Sequence, residues 1–203
     1  MILKEAVGGL AGILLTGGRS RRMGFDKAAL LIDGHRCAEI VGAKLAATVS
    51  PAFEVGPGYS GLPSLREEPP GEGPLVAIVA GWVALSQSGH RGPVLVVAGD
   101  LPLVTVEILR LLADWPGSGS VVPVVNGRRQ PLCARWSAAT LEQAAVTAAS
   151  GERSLRGLFG EGTEFLREDA WGHLTAGSAF ADIDTPEDLA RLGIARGVGN
   201  PRL

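Results

Sequence analysis

The sequence predicts an α/β domain with a mostly parallel sheet, helices on both faces and a small antiparallel addition. Short apolar runs alternate with amphipathic or alanine-rich stretches along the 203 residues. Such alternation is typical of a parallel sheet covered by helices. Around Gln130, two strand-like runs follow one another with no helix between them. This interruption predicts antiparallel neighbours at that point of the sheet.

The predicted strands are short apolar runs bounded by turn residues. They span residues 12–15, 52–55, 93–98, 120–125, 132–136 and 180–183.

The predicted helices are longer runs, and two of them begin with clear start signals. Thr105 and Thr185 are good N-cap residues, and Pro186 occupies the favoured first helical position. The segment 55–73 is rich in Gly and Pro and is expected to loop over the site. The helices are expected over residues 35–49, 74–87, 105–115, 137–150 and 186–192.

Composition limits the class of protein. One domain over residues 1–195 with a flexible tail at 196–203 is expected, because domains rarely exceed about 250 residues. The net charge of −2 gives no indication of a nucleic-acid or membrane surface. No apolar run approaches the roughly 20 residues of a membrane span, and the start of the chain lacks a signal pattern. The cytoplasm is therefore the expected location.

The cysteines do not predict a structural or metal framework. Cys37 and Cys133 are far apart in the sequence and have no Cys-x-x-Cys spacing. A disulfide framework or a zinc site is therefore not expected.

The most informative segment is 15–27, which reads Leu-Thr-Gly-Gly-Arg-Ser-Arg-Arg-Met-Gly-Phe-Asp-Lys directly after an apolar strand. Glycines allow a ligand to approach the backbone closely, and N–H groups in such a turn can surround an anion. Arginine and lysine add charge-assisted hydrogen bonds to phosphate. The segment therefore predicts a phosphate site, with a solvated basic loop as the plainer alternative.

Two common phosphate motifs do not explain this segment. Lys27 stands three residues after Gly24 and is followed by Ala28, which does not fit the P-loop pattern. A Gly-x-Gly-x-x-Gly pattern occurs over residues 56–61, but Pro63 follows and no helix is predicted to open there. The dinucleotide fingerprint requires a helix N-terminus under the pyrophosphate, so we set this match aside.

Acidic side chains are expected to join the basic segment at one edge of the sheet. Gly17, Asp100 and Asp182 each follow a strand-like run, and ligands in such folds bind outside the carboxyl ends of the strands. Asp100 is a candidate Mg²⁺ ligand, because Mg²⁺ takes one or two carboxylates together with waters and phosphates. Asp182 and Asp184 alternate on a predicted strand end, so at most one of them points to the metal, and Asp184 can instead end the strand or cap the next helix.

The segment 15–27 resembles the signature of the molybdenum cofactor guanylyltransferases, known as MobA, among the nucleotidyltransferases. Further stretches agree in order along the chain, so that the resemblance covers residues 8–193, nearly the whole sequence. These stretches are Glu67–Leu75, Gly99–Pro102, Gln130–Ala134, Gly151–Leu155 and Asp182–Leu189.

The resemblance implies a Rossmann-like nucleotidyltransferase fold and a specific reaction. The terminal phosphate of molybdopterin would attack the α-phosphorus of GTP, and pyrophosphate would leave. Mg²⁺ is the implied cofactor, with Mn²⁺ as a possible substitute, and transient partners in cofactor delivery are possible. The implied catalytic residues are Arg22, Lys27 and Asp100; the implied nucleotide-binding residues are Leu15, Thr16, Gly17, Gly18, Lys27, Glu67 and Asp100; the implied metal ligands are Asp100 and Asp182.

Three positions depart from the family pattern and leave alternatives open. Thr16 replaces a small Ala, Glu67 replaces an Asp, and Gly56 aligns with an Asn that some members hold near the base. The Gly17-Gly18 pair favours guanine, whereas the aspartate-rich closing motif is also common in cytidylyl relatives. The alternatives are a cytidylyltransferase, another phosphorylated acceptor, or a catalytically silent binding protein on the same fold. A Rossmann oxidoreductase is a distant third reading.

Overall fold

The computed structural model describes residues 9–17, 26–68, 70–183 and 188. Within these residues an eight-stranded sheet forms the centre of the molecule, and a separate two-stranded hairpin lies beside it. The strands are β1 (Ala11–Leu15), β2 (Leu31–Ile32), β3 (His35–Arg36), β4 (Ala52–Val55), β5 (Ser64–Leu65), β6 (Val94–Ala98), β7 (Val121–Val125), β8 (Arg128–Arg129), β9 (Cys133–Trp136) and β10 (Glu164–Leu166).

The sheet has the order β10-β7-β9-β6-β1-β4-β5, and β8 also pairs with β7. The pairs around β1, from β5 through β4 and β1 to β6, are all parallel, as is the pair of β7 with β10. Strand β9 runs antiparallel to both of its neighbours, β6 and β7. The predicted fold class, including the antiparallel addition after Gln130, is confirmed.

The predicted helices over 35–49, 74–87, 105–115 and 137–150 are confirmed. The Thr105 side chain accepts a hydrogen bond from the N–H of Ile108 at 3.3 Å, which confirms it as an N-cap. The helix predicted at 186–192, with its signals at Thr185 and Pro186, lies outside the described residues. The helices are α1 (Cys37–Ala46), α2 (Pro74–Gln87), α3 (Val106–Asp114), α4 (Ala138–Ala149) and the short α5 (Glu168–Trp171).

The core consists of two apolar layers, one on each face of the sheet. Leu14 of β1 packs in the layer that includes residues of α1 and α3. Ile13, the neighbouring residue on the same strand, packs in the layer that includes residues of α2 and α4. Because successive side chains of a strand point to opposite faces, both faces of β1 must be apolar. This double burial explains why the central strands are continuous apolar runs.

The strand predicted at residues 180–183 is wrong. The residues before it form a 3-10 helix, Gly177–Phe180, and residues 181–183 have no regular structure. Phe180 and Ile183 are both buried, three positions apart. That spacing is the period of a tight turn rather than of a strand. The outer position in the sheet is taken by β10, which the sequence analysis missed because three residues are too few to show a pattern.

A buried cation was also missed. Arg135 of β9 is 1% exposed and donates hydrogen bonds from Nη1 to the carbonyl oxygens of Ala113 and Trp115, at 3.2 and 2.6 Å. Its Nε donates to the carbonyl of Gly119 at 3.2 Å. Burial lowers the pKa of the Arg135 guanidinium. The carbonyl groups of Ala113 and Trp115 lie in the last turn of α3 and directly after it, where a helix leaves acceptors without partners, so Arg135 caps the C-terminal end of that helix.

Both cysteines are buried and free, and neither belongs to a cluster with metal-ligand spacing in the described residues. Among the helices that the structure describes, none combines the length and the apolar character needed to cross a membrane.

Candidate active site

A cavity of about 450 Å³ opens where β1 and β6 end at the same edge of the sheet. The register pairs Leu15 with Ala98, so the two strands finish side by side. Gly18 and Arg22, which the sequence analysis assigned to nucleotide binding and catalysis, lie outside the described residues. The other nucleotide-binding candidates all line the cavity: Leu15, Thr16, Gly17, Lys27, Glu67 and Asp100.

Lys27 and Asp100 form an ion pair across the cavity wall. The Nζ of Lys27 lies 3.9 Å from Oδ2 of Asp100, and both side chains are largely buried. Lys27 begins a 3-10 helix, Lys27–Ala29, and the preceding Asp26 caps this helix by accepting a 3.1 Å hydrogen bond from the N–H of Ala28. The cavity thus holds a cation and a carboxylate side by side, one from a capped turn and one from the end of β6.

The loop that carries Asp100 is fixed from two sides. The N–H of Gly99 donates to the carbonyl of Leu15 at 2.8 Å, which ties the end of β6 to the end of β1. A Cβ at position 99 would lie 2.9 Å from Cγ2 of Thr16, so only glycine allows this close approach. On the other side, Nζ of Lys44 donates to the carbonyl of Pro102 at 2.8 Å. These contacts hold Asp100 at the cavity.

Asp182 is a neighbour of Asp100 rather than part of the cavity wall. The N–H of Ile183 donates to the backbone carbonyl of Asp100 at 3.3 Å, so the chain brings Asp182 next to the end of β6. The Asp182 side chain is exposed. Asp184, the alternative ligand or helix cap, lies outside the described residues. The expected convergence of Gly17, Asp100 and the 182 region on one edge is therefore observed.

Thr16 and Gly17 form a wall of the cavity, but their N–H groups are already engaged. Both donate to the carbonyl of Val55, at 3.1 and 3.4 Å, and so extend the pairing of β1 with β4. A Cβ at position 17 would come no closer than 3.8 Å to any neighbouring atom. The fold itself therefore does not require glycine at position 17, and its missing side chain serves to leave space at the exposed cavity wall.

Glu67 brings a carboxylate with an unsatisfied oxygen to the cavity. Its Oε1 accepts a hydrogen bond from the N–H of Gly71 at 2.7 Å. Its Oε2 is buried and has no hydrogen-bond partner among the described residues. Leaving a buried polar atom unpaired costs roughly 1–3 kcal/mol, and more for a charged group. The Oε2 atom is therefore available to accept a hydrogen bond from a ligand in the cavity.

The N-terminus of α2 also faces the cavity. Gly73, Pro74 and Ala77 belong to its wall. Gly73 has a φ of +102°, a conformation that favours glycine, and Pro74 follows as the first helical residue, where its missing N–H is harmless. The N-terminus of a helix carries a partial positive charge and attracts phosphate groups. The predicted looping of segment 55–73 over the site is thus observed, with its end delivering this helix.

The sequence analysis missed Glu54, the central polar residue beside the cavity. Glu54 lies on β4, is 0% exposed, and accepts a hydrogen bond from the hydroxyl of Thr16. Its two oxygens accept further bonds of 2.6–2.9 Å from the N–H groups of Gly58, Tyr59 and Ser60 and from the Ser60 hydroxyl. The signal in the sequence is an acidic residue inside an apolar strand, followed by a glycine-rich turn.

These hydrogen bonds decide the charge of Glu54. Burial by itself raises the pKa of a carboxyl group. Hydrogen bonds from the side chains of Ser60 and Thr16, and from backbone N–H groups, outweigh burial and bring the pKa of Glu54 below its ordinary value of 4.5. Glu54 is therefore ionised at neutral pH. The glycine-rich pattern at 56–61 does surround an anion, but that anion is the protein's own carboxylate.

The charges at the cavity favour a ligand that brings cations or donors with it. Among the described residues of the wall, Lys27 contributes a positive charge, and the acidic residues are Asp26, Glu67 and Asp100. No group of three or more His, Cys, Asp or Glu side chains in this part of the chain is arranged to hold a metal ion by itself. Asp100 and the nearby Asp182 are the carboxylates from which a hard cation could be held, together with oxygen atoms of a ligand.

The fold and the cavity together define an α/β nucleotidyltransferase. Residues 12–166 match the family model described as the MobA-like NTP transferase domain. That match covers more than half of the chain, and the protein belongs to this family. The predicted resemblance is confirmed.

Curated relatives and a solved structure support the assignment. The molybdenum cofactor guanylyltransferase of Cereibacter sphaeroides is 34% identical over 200 residues, covering 90% of this chain and 94% of the relative. A probable molybdenum cofactor guanylyltransferase of Mycobacterium bovis is 35% identical over 159 residues, covering 73% and 78%. Molybdopterin-guanine dinucleotide biosynthesis protein A from Archaeoglobus fulgidus shares the fold, with a TM-score of 0.70, 21% identity, and coverage of 90% and 96%.

Proposed function

We propose that the protein transfers GMP from GTP to the terminal phosphate of molybdopterin and releases pyrophosphate. The observation that carries this proposal is the cavity at the ends of β1 and β6, where Lys27, Asp100 and Glu67 face one space. The names of the curated relatives point to the same guanylyl transfer.

The phosphate side of the cavity is the side of Lys27 and the N-terminus of α2. The Lys27 ammonium would hold the nucleotide phosphates as a point charge. The partial positive charge of α2 acts in the same direction. Arg22 would neutralise the charge that builds up on the leaving pyrophosphate.

The chemistry itself asks little of the protein beyond positioning. An oxygen of the acceptor phosphate would form a bond to the α-phosphorus of GTP. The bond between the α-phosphorus and the oxygen that bridges to the β-phosphorus would break, and pyrophosphate would leave with that electron pair. Such reactions depend mainly on alignment and charge neutralisation. No general base is required, because a phosphomonoester is already largely anionic near pH 7.

The residues present fit a Mg²⁺ ion. A cavity with several carboxylates repels a triphosphate unless cations accompany it, and Asp100 with Asp182 offers the hard oxygen ligands that Mg²⁺ prefers. When bound, Mg²⁺ supplies charge neutralisation for the attacking and leaving oxygens. Asp100, fixed by Gly99 and by the Lys44 contact at Pro102, is the side chain that would hold it.

Glu67 supports guanine as the base. Guanine presents two adjacent donors, the N1–H and the 2-amino group, and a carboxylate accepts both. Cytosine places one amino group beside an acceptor nitrogen, which a carboxylate would repel. The buried, unpaired Oε2 of Glu67 beside its hydrogen-bonded Oε1 suits the guanine edge. We therefore assign Glu67 to the nucleoside end of the cavity.

The direct test is to incubate the protein with GTP, Mg²⁺ and molybdopterin and to identify the product by mass spectrometry. The guanine dinucleotide of molybdopterin and an equal amount of pyrophosphate are expected. Pyrophosphate without the dinucleotide would indicate another acceptor. If neither product forms with any of the four ribonucleoside triphosphates, the result would favour a catalytically silent binding protein.

A further inference from the structure

The carboxylate of Glu54 joins segments that are far apart in the sequence but meet beside the cavity. Its donors come from the end of β1, through the Thr16 hydroxyl, and from the turn after β4, through residues 58–60. Gly56 lies so close to Thr16 that a Cβ there would collide with the Thr16 hydroxyl and stand 2.8 Å from the Gly17 nitrogen. The two segments are therefore locked against each other.

The same network extends to the residues around Lys27. Burial raises the pKa of the Asp26 carboxyl, and hydrogen bonding from the Ala28 N–H and from the Tyr59 side chain acts in the opposite direction. Asp26 in turn caps the 3-10 helix that begins with Lys27. In the sequence, Gly17 and Asp26 stand on either side of the arginine-rich segment 18–25. The Glu54 carboxylate is thus linked to both sides of that segment, through Thr16 before it and through Tyr59 to Asp26 after it.

Burial of the charged Glu54 side chain has a free-energy cost that an apolar side chain of similar size would avoid, so filling space does not explain this residue. Burying an ionised carboxylate costs several kcal/mol unless hydrogen bonds replace its hydration. Glu54 obtains such bonds from five donor groups. One of these donors is the Thr16 hydroxyl, and Thr16 itself lines the cavity.

We propose that Glu54 is a positioning residue for nucleotide binding: acting through the Thr16 hydroxyl and the 58–60 turn, it sets the cavity wall at Gly17 and the position of Lys27 before the triphosphate arrives. This inference rests on the proposed function in that its ligand is a nucleoside triphosphate. It does not depend on which base that nucleotide carries, because Glu67, the residue assigned to the base, is not part of this network.

The test compares Thr16→Val, Thr16→Ser, Glu54→Gln and the double variant Thr16→Val with Glu54→Gln. Valine keeps the shape of threonine and removes its hydroxyl, whereas serine restores the hydroxyl. Glu142→Gln is the matched control, because Glu142 is an exposed carboxylate on α4. Binding of GTP with Mg²⁺ is measured by calorimetry at a temperature at which circular dichroism shows each variant to be folded.

Thr16→Val and Glu54→Gln are each expected to weaken GTP binding at least tenfold. The double variant should bind GTP no more weakly than the single variant with the lower affinity, because both substitutions remove the same link. Thr16→Ser should restore most of the binding that Thr16→Val loses, and Glu142→Gln should bind like the wild type. Equal binding by wild type and Thr16→Val would overturn the inference, even if Glu54→Gln fails to fold. If the wild type prefers CTP, the proposed function fails, while the same comparison with CTP still decides the role of Glu54. If it binds no triphosphate, both proposals fail.

Discussion

The Lys27 ammonium lies 3.9 Å from a carboxylate oxygen of Asp100, although 72 positions of sequence separate the two residues. Lys27 starts a capped 3-10 helix after β1, and Asp100 follows β6, which is the parallel neighbour of β1. The ends of parallel strands meet at one edge, and this geometry brings the two charges together. Lys27 and Asp100 are therefore the first two residues to substitute.

Lys27→Ala is expected to reduce turnover by about 30- to 1,000-fold, which corresponds to roughly 2–4 kcal/mol of transition-state stabilisation. The variant should remain folded, because Lys27 lies at the cavity rather than in the apolar core, although loss of one partner of a largely buried ion pair lowers the melting temperature. Pyrophosphate release is the measurement. Arg110→Ala, which removes an exposed cation from α3, is the control. If Lys27→Ala releases pyrophosphate at the wild-type rate, Lys27 has no role in catalysis.

Asp100→Asn is expected to abolish metal-dependent turnover, because Asn keeps the shape of the side chain but loses the charge that attracts Mg²⁺. Asp182→Asn should be milder, since the Asp182 side chain is exposed and outside the cavity wall. Asp184→Asn should be mildest, because Asn also caps helices well. The three variants are compared by pyrophosphate release across a Mg²⁺ titration, with the exposed Asp114→Asn as control. If Asp184→Asn reduces turnover the most, Asp184 rather than Asp100 is the side chain that holds the metal.

Glu67→Gln is expected to weaken GTP binding by roughly tenfold or more, because hydrogen bonds to a charged group contribute about 1.5–3 kcal/mol. Stability should be unchanged or raised, since the variant removes a buried charge whose Oε2 has no partner among the described residues. Calorimetry with GTP and with inosine triphosphate, which lacks the 2-amino group, locates the contact. The wild type should prefer GTP, and the variant should lose much of that preference. An unchanged preference would place Glu67 away from the base.

Gly17→Ala is expected to fold normally but to bind GTP at least about tenfold more weakly, a loss of about 1.4 kcal/mol. The added methyl group would meet no atom of the protein closer than 3.8 Å, but it would stand at the cavity wall. Gly9→Ala is the matched control, because a Cβ there has no neighbour within 4 Å. Thermal melting and calorimetry are compared for both variants. Unaltered GTP affinity in Gly17→Ala would mean that the ligand does not approach this wall.

Much of the fold could be predicted because the determining signals are local. Helix α2 occupies the predicted 74–87 range because Pro74 starts it and apolar residues continue through it. The strands of the centre were readable because double burial makes them continuous apolar runs. The turn at Asn126 and Gly127, with φ values of +48° and +75°, joins β7 to β8 as that residue pair predicts. In each case the residues that decide the structure are adjacent in sequence.

The missed features depend on residues that are distant in sequence. Nothing near Glu54 indicates that its carboxylate meets the Thr16 hydroxyl, 38 positions earlier. Arg135 is likewise stabilised by carbonyl groups at the C-terminal end of α3, about 20 positions away. The prediction of a strand at 180–183 was wrong because Phe180 and Ile183 are both buried at a spacing of three. Composition alone does not distinguish this arrangement from a strand. The strand ends could be predicted, whereas the hydrogen bonds between them could not.

The measurement that tests the guanylyl assignment most directly is pyrophosphate release in the presence of molybdopterin and Mg²⁺, with GTP, CTP, ATP and UTP compared at equal concentrations. The buried acceptor of Glu67 predicts that GTP is used at least about tenfold more efficiently than each of the other three, or about 1.4 kcal/mol. More efficient use of CTP would contradict the assignment and identify the protein as a cytidylyltransferase.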